Sequence, residues 1–144
     1  MGLIGLWFSG DVLTRIAYLQ GHKVVAAGSE IALGAQAGIE RFIAAERQSV
    51  DIAWRLEGTA FQKKVLKELL RIPYGEVRTY GDIAGQLGTS ARAVGNACRN
   101  NPLPLVIPCH RVVAADGIGG YDGARSGRLL EIKRRLLANE GRIF

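Results

Sequence analysis

The 144-residue chain reads as an α/β protein: a small N-terminal antiparallel sheet with one helix, then a mostly helical C-terminal domain that contains a helix-turn-helix and a short sheet. Three features predict this. Short apolar runs alternate with turn residues before residue 28. Two helix-length segments near 80–87 and 91–99 are separated only by Gly88-Thr89-Ser90. Charge also changes at Gly58: residues 1–57 hold 5 basic and 6 acidic side chains, a net −1, whereas residues 58–144 hold 14 and 7, a net +7. The domain boundary is placed there, giving 1–57 and 58–144.

The first part opens with three strand-like runs, Leu3 to Phe8, Leu13 to Leu19 and Lys23 to Ala27. Ser9-Gly10-Asp11 and Gln20-Gly21-His22 separate them as turns, so a small antiparallel meander is expected. Residues 33–47 read as a helix with Ile39, Phe42 and Ile43 on one face, and 51–57 read as extended. A segment of this length buries little alone, so it is expected to pack on the second part.

The second part starts with a helix. Thr59-Ala60-Phe61-Gln62 has the form of a capping box, and Phe61, Val65, Leu66, Leu69 and Leu70 form an apolar stripe that Pro73 ends. Thr79 then caps one short helix, Gly88 ends it in a left-handed turn, and Ser90 caps the next. Ala84, Leu87, Val94 and Ala97 supply small contacts for two crossed helices. After an apolar run at 103–107 and the glycine-rich loop 116–123, a last helix spans 128–139. It is expected to turn Leu129, Ile132, Leu136 and Leu137 inward and Lys133, Arg134 and Arg135 outward, with Gly141 as its stop.

Composition excludes several classes. No apolar stretch approaches the roughly 18 residues of a membrane span. Met1 to Phe8 has no basic start, so no secretory leader is expected. Cys98 and Cys109 point to free thiols in a reducing, cytoplasmic setting, and a zinc site is not expected. The loop at 116–123 lacks the spacing of a dinucleotide cradle. The basic excess in the second part, with Arg as 14 of the 19 basic residues, suits a polyanion. Arg92 and Arg99 on the second helix of the pair direct that reading toward DNA.

Cys109 beside His110 is the chemistry-bearing pair. The thiolate is the reactive form of cysteine, and a nearby base raises its fraction. Neighbours in an extended segment point to opposite sides, so a kink or a bridging water is required. Pro108 restricts Ile107 and sets the approach of the chain.

The stretch Arg92-Ala93-Val94-Gly95, then Asn101-Pro102, then Ile107-Pro108-Cys109-His110-Arg111-Val112-Val113, then Gly119-Gly120-Tyr121, resembles the O6-alkylguanine-DNA alkyltransferases. Tyr74-Gly75-Glu76-Val77 and Tyr80 extend the likeness, which runs from about Gly58 to Gly141. Residues 1–57 match weakly, as the variable, ribonuclease-H-like N-terminal domain of that family would. The resemblance implies a methylated-DNA–[protein]-cysteine S-methyltransferase that transfers the alkyl group of O6-alkylguanine, and by extension of O4-alkylthymine, irreversibly to its own Cys109. One chain then repairs one lesion.

The same resemblance implies the roles. His110 is the base that activates Cys109 through a water, Glu140 orients His110, and Tyr80 donates a proton to the guanine. Arg92 fills the gap left by the flipped nucleotide, and Asn101 links the recognition helix to the active site. Val112 and Cys109 offer carbonyls to the guanine amine, while Tyr121 and Asp122 close the pocket. Arg99, Gln62, Gly81 and Ala115 lie near the DNA. The partner is double-stranded DNA containing O6-alkylguanine, with no cofactor, no metal, no membrane and a monomeric chain. Asp122 departs from the small hydroxyl residue expected there, and 122–127 looks longer than in the family.

An O6-alkyl group points into the duplex, so the nucleotide must be extruded before a side chain can reach it. A helix rich in Ala and Gly favours close approach over base reading, so little sequence specificity is expected. The alternatives are a non-enzymatic alkylated-DNA-binding protein, a helix-turn-helix regulator and a cysteine hydrolase. Cys109 argues against the first. The second requires sequence-specific binding, and the third requires an oxyanion hole and turnover.

Overall fold

The computed structural model describes residues 2–20 and 28–144. The chain divides into two compact units, 1–57 with 102–106, and 58–101 with 107–144. The break at Gly58 coincides with the change in charge. Residues 102–106 leave the second part and group with the first, which the sequence division at 58 does not anticipate.

In the first unit, β1 (Leu3–Ser9) and β2 (Val12–Leu19) form an antiparallel hairpin in which Leu3 faces Leu19 and Ser9 faces Val12. Gly10 makes the tight connection at φ +61, where a side chain would be strained. A bulge at Trp7/Phe8 shifts the register. Leu13 exchanges backbone hydrogen bonds with Ala53 and Arg55, so the 51–57 segment is extended alongside β2. Ile16 N–H donates to Pro102 O at 2.8 Å, which ties in the 102–106 segment. Leu103 and Leu105 are buried there. The expected strand Lys23 to Ala27 lies outside the described residues.

Helix α1 spans Glu30–Ile43, three residues earlier at its start than expected and four earlier at its end. Ser29, not the apolar pattern, sets the start: its side chain accepts from Ala32 N–H. The end comes at Ala44, and Ala45 takes φ +61 while Glu46 N–H closes back to Arg41 O. Ile39 and Phe42 are buried, and Ile43 lies half-buried at the edge of that face.

The second unit opens with α2 (Ala60–Leu69), whose cap Thr59 accepts from Gln62 N–H. The reciprocal half of the expected box is missing. Gln62 Nε2 instead donates to Asn100 O at 2.7 Å, so its side chain ties α2 to the segment at residue 100. Val65, Leu66 and Leu69 are buried, but Phe61 and Leu70 are exposed: they flank the stripe and do not belong to the core.

The full capping box appears at the next helix. Thr79 accepts from Asp82 N–H, and the Asp82 carboxylate accepts from Thr79 N–H, both at 2.9 Å. Helix α3 (Tyr80–Leu87) ends at Gly88 with φ +67, and Ser90 caps α4 (Ala91–Arg99) by accepting from Ala93 N–H. The helix-turn-helix is therefore built as its caps predict. Strand β3 (Arg78–Thr79) pairs in parallel with β4 (Val112–Val113), Arg78 facing Val112 and Thr79 facing Val113. This short ladder places the first residue of α3 beside the segment that follows Cys109.

Helix α5 (Arg128–Asn139) has its expected bounds, and Gly141 at φ +86 lets Arg142 N–H return to Leu137 O. Its faces differ from the expectation. Leu130, Ile132, Leu136 and Leu137 are buried, Leu129 is half-buried, and Lys133 is fully buried where an outward cation was expected.

Candidate active site

Pro108 sets the local geometry of the cysteine. At φ −79 and ψ +63 it forms an inverse γ-turn, with Cys109 N–H donating to Ile107 O at 2.8 Å. Cys109–Arg111 then make one 3₁₀ turn, closed by Arg111 N–H to Pro108 O at 3.0 Å. This is the kink that lets adjacent residues take different tasks. Cys109 faces a cavity, whereas His110 is buried behind it with no exposure.

Asn101 holds this turn to the end of α4. It lies two residues beyond α4, and its side-chain Nδ2 donates to Ile107 O at 3.0 Å within the core. The five residues 102–106 thus leave and return to the second unit at a stapled pair.

The cavity measures about 820 Å³. Tyr80 from the start of α3, Arg92 and Arg99 from α4, and Tyr121 and Asp122 line it together with Cys109. Asp122 at φ +49 and Gly123 at φ +83 form the two central residues of a tight hairpin turn. Tyr121 and Ala124 exchange both backbone hydrogen bonds at 2.9 Å across it. Two successive positive φ values define a type I′ turn, for which Asp-Gly is a preferred pair. Turn chemistry therefore accounts for an acidic residue at 122.

Behind Cys109 lies a buried charge network. His110 Nε2 is 2.6 Å from Glu140 Oε2, and Glu140 Oε1 accepts from Arg111 Nε at 2.8 Å and from Gly75 N–H at 3.0 Å. Burial pushes the Glu140 carboxyl up, but the hydrogen bonds from His110, Arg111 and Gly75 outweigh it and hold it at about 2. An ionised Glu140 only accepts, so His110 Nε2 carries the hydrogen and Nδ1 holds the basic lone pair. Burial pushes His110 below its ordinary value against the pull of Glu140, so the ring is neutral at neutral pH. It is a base of fixed tautomer.

Burial pushes the Cys109 thiol up to about 11, while the Asn101 amide and the Lys133 ammonium oppose this. The resting group is therefore a thiol that must lose its proton to react. Burial, with the two thiols adding to it, raises Tyr80 to about 12, so its hydroxyl keeps its proton; it donates to Gly120 O at 3.4 Å. Lys133 Nζ donates to Val112 O at 2.7 Å and to Gly120 O at 2.8 Å, and burial lowers it to about 8. The arrangement joins a nucleophile, a neutral base with its carboxylate, a proton donor and a cation-bearing rim. It can carry out nucleophilic displacement on a group held in the cavity.

Residues 60–142 match the family model described as 6-O-methylguanine DNA methyltransferase, DNA binding domain. A methylated-DNA–protein-cysteine methyltransferase of Archaeoglobus fulgidus is 52% identical over 106 residues, covering 72% of this chain and 71% of that one. The chain belongs to this methyltransferase family. The family member of Mycobacterium bovis is 45% identical over 106 residues, and these cover 70% of this chain and 64% of that protein. Among solved structures, Mycobacterium tuberculosis OGT in complex with DNA is similar with a TM-score of 0.81 and 38% identity, over 96% of this chain and 86% of that one. The O6-methylguanine-DNA methyltransferase of Pyrococcus kodakaraensis gives 0.62 and 31%, over 96% and 90%.

Of the residues expected from the family resemblance, the structure gathers Cys109, Tyr80, Arg92, Arg99, Tyr121 and Asp122 around one cavity. His110, Glu140 and Asn101 form the layer behind it. Val112 is fully buried and does not line the cavity, and its carbonyl accepts from Lys133 Nζ. Gln62, Gly81 and Ala115 stand apart from the cavity; Gly81 and Ala115 are exposed, on the first turn of α3 and in the turn after β4. Sequence reasoning missed Lys133. Its signal is helical spacing: it lies three residues after Leu130 and three and four before Leu136 and Leu137, on the buried stripe.

Proposed function

We propose that this protein repairs DNA by direct reversal, taking the alkyl group of an O6-alkylguanine onto Cys109 Sγ, once per chain. The observation that carries this reading is Cys109 at the wall of a cavity shared with Arg92 of the helix-turn-helix, with the His110–Glu140 pair directly behind. α4 enters the groove, and its Ala and Gly residues permit close approach. Arg92 takes the place of the extruded nucleotide, whose base occupies the cavity. Arg99 lies against the DNA backbone, and Gln62 braces the end of α4 through Asn100 O.

The Cys109 proton passes by way of one bridging water to His110 Nδ1, and Glu140 stabilises the imidazolium. Sγ attacks the alkyl carbon, the bond from that carbon to O6 breaks, and Tyr80 supplies a proton to the departing guanine. A thioether remains. A carbon–sulfur bond of this kind does not hydrolyse in water, so the chain is consumed. Every group in this scheme comes from one chain, so a single chain suffices for the reaction. A reactive free thiol suits a reducing cytoplasm, and no helix of the described residues is long and apolar enough to cross a membrane.

Counting methyl groups tests the reading. With excess duplex carrying a labelled O6-methylguanine, label bound to protein reaches a plateau at one methyl per chain. Continued release of free label, or a plateau near zero, contradicts it.

A further inference from the structure

The proposed reaction leaves a second thiol on the cavity wall without a task. Cys98, one residue before the end of α4, lines the same cavity as Cys109 and is 7% exposed. The chain path explains their convergence. Asn101 N–H donates to Cys98 O at 3.2 Å, and the Asn101 side chain holds Ile107 O, two residues before Cys109. Charge on either thiol acts on the same two neighbours, Tyr80 and Lys133. A small core residue would face only packed side chains, whereas this thiol faces the space into which an alkyl group is delivered.

We propose that Cys98 is a second acceptor, which takes the far end of a bifunctional alkyl group after Cys109 has taken the near end. The substrate class is guanine carrying an O6 chain with a leaving group on its second carbon, such as 2-chloroethyl. The proposal rests on the reading of Cys109 as the first acceptor.

In the first step Cys109 Sγ bonds to the carbon attached to O6, the O6–carbon bond breaks, and guanine is restored. In the second step the thioether sulfur expels chloride from the second carbon and closes a three-membered sulfonium ring. Cys98 Sγ then bonds to one ring carbon, that carbon–sulfur bond opens, and the Cys98 proton goes to solvent. The net change joins two thiols through two carbons, with loss of HCl and no oxidant or reductant. Burial raises the Cys98 thiol, so it attacks as a thiol; the strained cation is reactive enough to need no thiolate. Its advantage over water and DNA is placement, since groups held in reacting geometry reach effective concentrations of up to about 10⁵ M or more. A methyl group has no second leaving group and stops at Cys109.

The test is mass spectrometry of the whole chain after reaction with duplex carrying O6-(2-chloroethyl)guanine, beside a parallel reaction with O6-methylguanine duplex. The expected product has gained two carbons, has lost the chlorine, resists maleimide at both thiols, and yields peptides containing residues 98 and 109 joined together. A chloroethyl or hydroxyethyl group on Cys109 with Cys98 still reactive, or a protein–DNA cross-link, overturns the second acceptor while leaving the first intact. Absence of transfer from both duplexes overturns the reading beneath it. In Cys98→Ala the joined peptides disappear; their persistence assigns the bridge to another residue and also overturns the proposal.

Discussion

Glu140 Oε2 lies 2.6 Å from His110 Nε2, and the other oxygen of the same carboxylate is held by Arg111 Nε and the Gly75 amide. Glu140 is the C-cap of α5, and Gly75 sits in the turn after α2 at φ +86. One carboxylate therefore joins the last helix, the turn at 74–75 and the 3₁₀ turn of the nucleophile. Tyr74 strengthens the same junction: its hydroxyl donates to Asn139 O at 3.1 Å, and Arg111 lies over its ring at 5.5 Å.

Removing Glu140 exposes this dual role. Glu140→Ala leaves His110 and Arg111 buried without their carboxylate, and breaking such a network costs about 3–5 kcal/mol. The urea midpoint should fall accordingly, and fall less for Glu140→Gln. An unchanged midpoint in the alanine variant would deny the carboxylate its structural part.

Acid should act through the same group. The folded carboxyl is held at about 2 against an ordinary 4.5, so its contribution to stability is complete above the ordinary value and is lost as pH falls toward about 2. Stability measured across that window should drop more steeply for the parent chain than for Glu140→Gln. Equal slopes would contradict the depressed value.

As the proposed base, His110 should set the acid limb of the reaction. Burial lowers it, so the ring stays neutral and basic below the ordinary histidine range. The single-turnover rate should therefore hold level through pH 6.5 and fall only at lower pH. A limb centred above that value would show that His110 is not the base.

Arg92→Ala separates extrusion from chemistry. Unstacking a base costs a few kcal/mol, which corresponds to roughly a ten- to hundredfold change in rate. Repair of duplex should slow by that order, while reaction with free O6-benzylguanine, which needs no extrusion, changes little. Equal losses would remove Arg92 from the wedge role.

Lys133→Met tests the buried cation. The ammonium favours the Cys109 thiolate from its seat on Val112 O and Gly120 O. Without it, iodoacetamide should modify Cys109 more slowly at neutral pH, and the difference from the parent chain should fade above about 8, where Lys133 loses its own proton, as read by peptide mapping. An unmoved profile would make Lys133 purely a clamp on the two carbonyls.

The parts of this site that were legible in sequence are local. Thr79, Gly88 and Ser90 mark the helix-turn-helix because caps and left-handed stops depend on a few neighbouring atoms, and the structure places each at the expected end. Gly141 acts the same way on α5. The less legible parts depend on distant partners. Gln62 has the right spacing to close its own cap, but Asn100 O competes successfully for its amide. Lys133 reads as one of three consecutive cations, and only two carbonyls from other segments make its burial tolerable. Asp122-Gly123 carried a turn signal in plain view, yet its place on the cavity rim follows from the Tyr121–Ala124 pairing rather than from the dipeptide.

The most direct measurement is a peptide map of the intact chain after one round with duplex containing O6-methylguanine. The account predicts a single added methyl group, carried by the sulfur of Cys109. A methyl on Cys98 or any other residue, or an unmodified chain beside a repaired duplex, would contradict it.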